Sequence, residues 1–332
     1  MTPLLRAELA RVRARPLVLG MLLLVLLGGV GLVLSGWWST RPPTPAQVED
    51  AHTQLAEAQR LWEVEGEEVV ARCLEMQDEA RAVDGPAVDY GCHDMAPALD
   101  RFLPYRPSLA EVLAEKLPTF GTMASLAIAM TAAGLVTSEF RSGAIATWLT
   151  FAPRRGRVFV AKLAAASVAG LVVALVPGAL TLAGLAAVCT LNGVGWGADV
   201  AWTDGLLTAP WRWLAVGLAA GAAAHGLAFA FRHAAAVTGV VVWWAATVET
   251  ALPLVLPAAG WLRVSTNVRA VVEGAAWYDV PACVADATSP TGRTCELVTH
   301  TVGAGQGALV VGGLVALGVV GGWLSFRFRD VT

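Results

Sequence analysis

Apolar residues in this chain fall into long unbroken runs, not into the alternation of a strand or the stripe of a surface helix. A hydrocarbon layer about 30 Å thick takes roughly 20 residues of helix to cross. Six runs meet that length: residues 17–37, 119–137, 163–191, 213–231, 234–257 and 304–326. The third is longer than a bilayer needs, so it is expected to tilt, to bend at Pro177 or to project past the surface. The fifth carries Glu249 and Pro253, which makes its far end the weakest part of the set. The pattern predicts an all-α polytopic membrane protein with six transmembrane helices, joined and flanked by segments 1–16, 38–118, 138–162, 192–212, 258–303 and 327–332.

Those polar segments have periodicities of their own. In 1–16, Leu4, Leu5, Leu9 and Val12 share a helical face and the arginines take others, predicting a basic amphipathic helix on the membrane surface. Residues 46–83 read as one long helix, stopped by Gly85-Pro86, and 108–117 as a short amphipathic helix leading to the second span. In 138–162, a helix from Glu139 to Thr150 groups Ala144, Ile145, Trp148 and Leu149 on one face. There Glu139 suits the positive end of the helix dipole, Pro153 stops the helix, and Trp148 reads as an exposed aromatic anchor. The competing reading is an interfacial helix resting on lipid headgroups, with Trp148 in the aromatic belt.

Composition agrees with the pattern. Mean hydropathy is +0.60, and 15% of residues are charged, against about 25% in a soluble domain. Basic residues in short loops set orientation. With the N-terminus inside, Arg6, Arg11, Arg13, Arg15, Arg141, Arg154, Arg155, Arg157, Lys162, Arg232, Arg327 and Arg329 are cytoplasmic, together with only Glu8, Glu139 and Asp330 among the acids. Both termini are therefore expected inside. The first run exceeds a signal peptide's usual apolar stretch and lacks a small-residue cleavage site after it, so it reads as a retained anchor.

Four cysteines fall in the two large outer segments, Cys73 and Cys92 in one, Cys283 and Cys295 in the other. An oxidising face favours two disulfides. Three pairings are formally possible, and the within-segment pairs are preferred. Cys92-His93-Asp94 is a weak metal pattern, because adjacent ligands converge poorly on one ion. The only lysines, Lys116 and Lys162, do not follow a glycine-rich phosphate-binding loop, so ATP-driven work would have to come from another polypeptide. No zinc-protease or serine-hydrolase signature is present; Ser125, Ser167 and His225 lie in spans, where such residues usually serve packing. Glu249 reads either as a substrate or proton site or as a carboxylate near the outer interface, and His225 as a packed neutral histidine. Gly217 with Gly221, and Gly318 with Gly322, mark close helix contacts within or between subunits.

The segment SEFRSGAIATWLTFAPRRGRVFVAK resembles the cytoplasmic loop of ABC-2-type permeases, the membrane subunits of a class of ATP-binding-cassette exporters. Glu139, Gly143, Trp148, Leu149, Pro153, Arg154, Arg155, Arg157 and Lys162 stand where that family has an acidic residue, a short helix around a glycine, a Pro-Arg turn and a basic residue entering the next span. LAFAFRHAAAVTGVVVWW, NVRAVVEGAAWYDVPAC, FRFRDV and the N-terminal LLRAELARVRARP resemble the tight turn between spans four and five, the outer segment before span six, the basic ending and the connecting helix. The large outer insert departs from the shortest family members.

The resemblance implies a permease of the prokaryotic plasma membrane that is not itself an enzyme. It would bind no cofactor; ATP and Mg²⁺ would sit on a separate ABC ATPase subunit. That partner would engage a coupling helix carrying Glu139, Arg141, Gly143, Ile145, Trp148, Leu149, Pro153, Arg154 and Arg155. A second permease subunit, identical or related, and membrane lipid complete the expected partners, with no nucleic acid. Two readings from other classes stand beside it: an ion-coupled carrier, which needs titratable groups along a mid-membrane path, and a signalling or scaffold protein whose acidic outer domain receives a partner.

Overall fold

The computed structural model describes residues 2–13, 15–151, 153–197, 204–285 and 293–330. A short helix α1 (Thr2–Arg13) leads into α2 (Pro16–Thr40), with Pro16 in the first helical turn where its missing N–H costs nothing. The 40-residue α3 (Pro45–Asp84) starts at a capping box, Thr44 with Gln47, and ends at Gly85, whose φ is +100°. Then follow α4 (Leu109–Arg141), α5 (Ala144–Phe151), α6 (Arg155–Leu191) and α7 (Asp204–Phe231). The next span is segmented. α8 (Ala234–Trp244) passes into a π-helical stretch, Ala245–Ala251, and one further turn, α9 (Leu252–Val255). After α10 (Val264–Glu273) come strands β1 (Ala275–Ala285) and β2 (Arg293–Gly303), and α11 (Ala304–Phe328) closes the fold.

Six of these helical segments are long and apolar enough to cross a membrane: Pro16–Thr40, Leu109–Arg141, Arg155–Leu191, Thr208–Phe231, Ala234–Val255 and Ala304–Phe328. The chain is thus a polytopic helical membrane protein. Several boundaries differ from those read in the sequence. The helix expected at 108–117 and the second span are one element, begun by a capping box of Ser108 with Glu111 and continuous through Pro118. The third span starts at Arg155, not 163, so the last residues of the supposed loop, including Lys162, are already helical. Glu139 belongs to the last turn of α4, not to the start of the short helix; Ser142 and Gly143 (φ +71°) break the chain between α4 and α5. Only glycine takes that φ readily. In segment 258–303, expected as a loop, β1 and β2 pair antiparallel with Cys283 opposite Cys295. The β-branched and aromatic residues of both strands favour that pairing over helix.

α4 is the axis of the bundle, packed against α2, α6 and α7. Gly217 and Gly221 of α7 lie against Ile128 of α4, while Gly226 meets the backbone of Gly318 and Gly322 on α11. A Cβ built on Gly226 would stand 2.1 Å from the Gly318 carbonyl oxygen. Both small-residue steps therefore serve contacts within this subunit. At one end of the bundle, Val136, Ile145, Val158, Phe159, Phe229, Val237 and Phe326 form a core joining α4, α5, α6, α7, α8 and α11. Arginines crowd this end. Arg155 donates to the carbonyls of Phe326 and Arg329, both at 2.8 Å, and closes the C-terminus of α11. At the opposite end Arg106 donates to the carbonyls of Thr40 and Asn192, tying α2 to α6. The disulfide Cys73–Cys92 holds the chain after α3 against that helix, and Cys283–Cys295 staples the hairpin.

Candidate functional site

Four charged side chains, three from helices α1, α4 and α6 and one from the link between α1 and α2, meet at the arginine-rich end. The Lys162 ammonium of α6 donates to Glu8 of α1 at 2.8 Å and to the other carboxylate, Glu139 of α4. Arg15, between α1 and α2, donates to Glu139 at 2.7 Å and also to Ser138 and the Leu135 carbonyl. Glu8, Glu139 and Lys162 are at most 5% exposed. Burying such charges is costly unless each finds a partner, and here two carboxylates face two cations. Glu139 sits at the negative end of the α4 dipole, which by itself disfavours a carboxylate. Arg15 and Lys162 offset that, which explains why an acid is stable where the local helix argues against one.

α5 lies over this cluster. The Trp148 ring faces the Arg11 guanidinium at 4.7 Å and the Lys162 ammonium at 5.6 Å, both cation–π distances. Ile145 is fully buried and Leu149 packs into the same core. The apolar face read from the sequence is thus the face turned inward, and Trp148 is half-buried against α1 and α6, not an exposed anchor. The exposed aromatic of α5 is Phe151, with 83% of its surface free. Pro153, Arg154 and Arg157 are also exposed, and Arg141 is exposed at the end of α4. Arg155 departs from the expected set because its guanidinium is occupied by the α11 carbonyls.

Sequence reading missed Glu8, Arg15, Arg11 and Phe151. Glu8 was legible as the one acid in a basic amphipathic helix. Arg15 carried no signal beyond its charge, because its partners are more than 100 positions away.

His225 and Glu249, the polar residues singled out within the spans, both lie away from this junction, and the His225 ring nitrogens are buried without a hydrogen-bond partner among the described residues. His225 is fully buried, with the rings of Phe159 and Phe229 each 5.0 Å away. Glu249 accepts from the backbone N–H of Val264 at 2.5 Å and of Ser265 at 3.2 Å, and from the Ser265 hydroxyl. Its carboxylate thereby caps the N-terminus of α10, a favourable charge–dipole arrangement. The π-helical turn around it brings Trp244 Nε1 to 3.3 Å of the same carboxylate. Among the described residues no cluster of His, Cys, Asp and Glu is placed to hold a metal, and Cys92 is spent in a disulfide.

An apolar cavity of about 230 Å³ lies nearer the opposite end, between α4, α6 and α7, lined by Phe120, Leu182, Leu185 and Trp213 with Lys116 at its edge. Lys116 is paired with Glu115 at 2.7 Å. The cavity suits hydrocarbon but brings together no set of reactive groups, so the charged junction under α5 is the stronger candidate. Comparison of the chain with protein-family models, with curated proteins and with solved structures returns no match.

Proposed function

We propose that this chain is the permease subunit of an ATP-driven exporter of the ABC-2 type, with ATP hydrolysed by a separate soluble subunit. The arginine-rich end, with both termini, faces the cytoplasm of a prokaryotic cell. The ATPase grips the exposed end of α5 and the start of α6 through Phe151, Arg154 and Arg157. The observation that carries this reading is the joint anchoring of α5. Ile145 and Leu149 key it into a core shared by four membrane helices besides α4, and Trp148 seats it on the Glu8–Lys162–Glu139–Arg15 cluster. A helix held only by lipid would slide when pushed. One locked into α1, α4 and α6 passes the displacement to the spans as a rigid-body motion, the general route for such switching.

Two such subunits would enclose the translocation path, and an exporter with a hydrocarbon-lined chain suits an apolar or amphipathic cargo. The test is purification of the tagged chain from its native membranes under mild detergent. A nucleotide-binding protein recovered in near-stoichiometric amount, and lost on Phe151→Asp with Arg154→Glu, supports the reading. Recovery of the intact chain with no ATP-hydrolysing partner, together with ion-driven transport by the chain alone in liposomes, overturns it.

A further inference from the structure

A second charged feature lies beside the junction and is not used by it. A cleft of about 580 Å³ opens between the start of α2, the end of α4 and the start of α8, lined by Leu17, Ser138, Arg141, Arg232, His233 and Ala234 among others. Its cations are poorly matched. Arg15, on its wall, is engaged by Glu139. Arg141 is exposed and has no hydrogen bond or ion pair among the described residues.

Arg232 occupies the left-handed region with φ +62°, as no other non-glycine residue does among those described, a conformation that costs on the order of 1 kcal/mol and collects at functional positions. Its Nη1 donates to the Asp330 carbonyl at 2.6 Å, and its guanidinium lies 5.3 Å from the Phe140 ring. Its Nε and Nη2 are buried without a hydrogen-bond partner. Burial, then the nearby Arg329 and Arg155, hold this guanidinium below its usual pKa, with Asp330 acting the other way.

The cleft also receives the N-terminus of α8, an 11-residue helix. His233 stands there in extended conformation and no side chain caps the free N–H groups, so the helix end itself favours an anion.

We propose that this cleft binds the phosphate of an anionic phospholipid headgroup, with Arg141, Arg232, His233 and the first amides of α8 as its ligands. Lipid, not free phosphate, is the source, because the cleft sits where two exposed apolar helices end. Only 11% of the apolar window of α2 and 6% of that of the Ala234–Val255 span, which α8 begins, are buried, so acyl chains can run down their surfaces while the headgroup enters the cleft. Basic pockets between spans at an anionic leaflet have this use generally.

The test uses the full chain in detergent, read by native mass spectrometry and by thermal unfolding. Phosphatidylglycerol, phosphatidylcholine and inorganic phosphate are titrated against the parent and against Arg141→Gln with His233→Asn. Phosphatidylglycerol should bind and raise the Tm, and the double variant should weaken that binding on the order of tenfold or more. Phosphatidylcholine and inorganic phosphate should do neither. Should the double variant unfold, Arg141→Glu alone, at an exposed position, is read in the same way. Equal binding of the two lipids, or unchanged phosphatidylglycerol affinity in the variants, would overturn the site. A Tm rise with inorganic phosphate alone would overturn its assignment to lipid.

Discussion

The guanidinium of Arg11 stands 4.7 Å over the indole of Trp148, joining the first helix of the chain to the short helix between the second and third spans. On the other side of Trp148 lies Lys162, itself held between Glu8 and Glu139. A single aromatic ring therefore ties α5 to α1 and α6. Replacing it should loosen the assembly from within: Trp148→Ala is expected to lower the Tm, at a stability cost of about 1–3 kcal/mol for a half-buried ring. Phe151→Ala, on the free side of α5, should leave stability within about 0.5 kcal/mol of the parent while weakening capture of the proposed ATPase partner. Differential scanning of both purified variants checks the contrast.

The charge cluster predicts a strongly non-additive pair. Glu139→Gln leaves Arg15 without its carboxylate and Lys162 with one partner only, and removing one member of a buried ion pair costs about 3–5 kcal/mol. Adding Lys162→Met strands the buried Glu8, which pairs with Lys162, so the double variant should be less stable than Glu139→Gln alone, but by less than the two single losses summed, because the Glu139–Lys162 contact is lost in both. Thermal unfolding of the two single variants and the double variant gives the coupling.

Gly226 should tolerate no side chain. Its Cβ would meet the Gly318 carbonyl oxygen at 2.1 Å, backbone that no rotamer change can move. Gly226→Ala is expected to separate α7 from α11 and to cost more than the roughly 1 kcal/mol that alanine normally gains in a helix. Gly313→Ala, with nothing near its Cβ, is the control. Yield of monodisperse protein from size exclusion reports both.

Glu249→Gln should release the start of α10. The carboxylate accepts the Val264 and Ser265 amides, and loss of a charged cap costs about 1–2 kcal/mol. Hydrogen exchange at those two amides should quicken, with little change in α4 or α6. Reduction of Cys283–Cys295 should act separately, fraying the far end of a two-stranded hairpin that is marginal without support.

Span number and the two disulfide pairings were legible in the sequence, because unbroken apolar length and cysteine proximity are local signals. Helix ends were less so. The capping box at Ser108 marks where α4 begins, yet residues 108–117 were read as a helix separate from the second span, whereas α4 runs unbroken through Pro118. Glu139 was placed at a helix start on dipole grounds. Its true position, at a helix end, depends on Arg15 and Lys162, which only tertiary contact reveals. Trp148 was assigned to the right face of α5 but the wrong side of the interface. Amphipathicity shows which residues share a face, not whether a protein, a lipid or the chain itself covers it.

The decisive measurement places a photo-crosslinking side chain at position 151 of the full chain in native membranes and identifies the adduct by mass spectrometry. If α5 is the handle by which an external motor moves the spans, the crosslink joins position 151 to a soluble protein bearing a phosphate-binding loop, and its yield changes when ATP is added. Adducts to lipid alone, unaffected by nucleotide, would contradict that role.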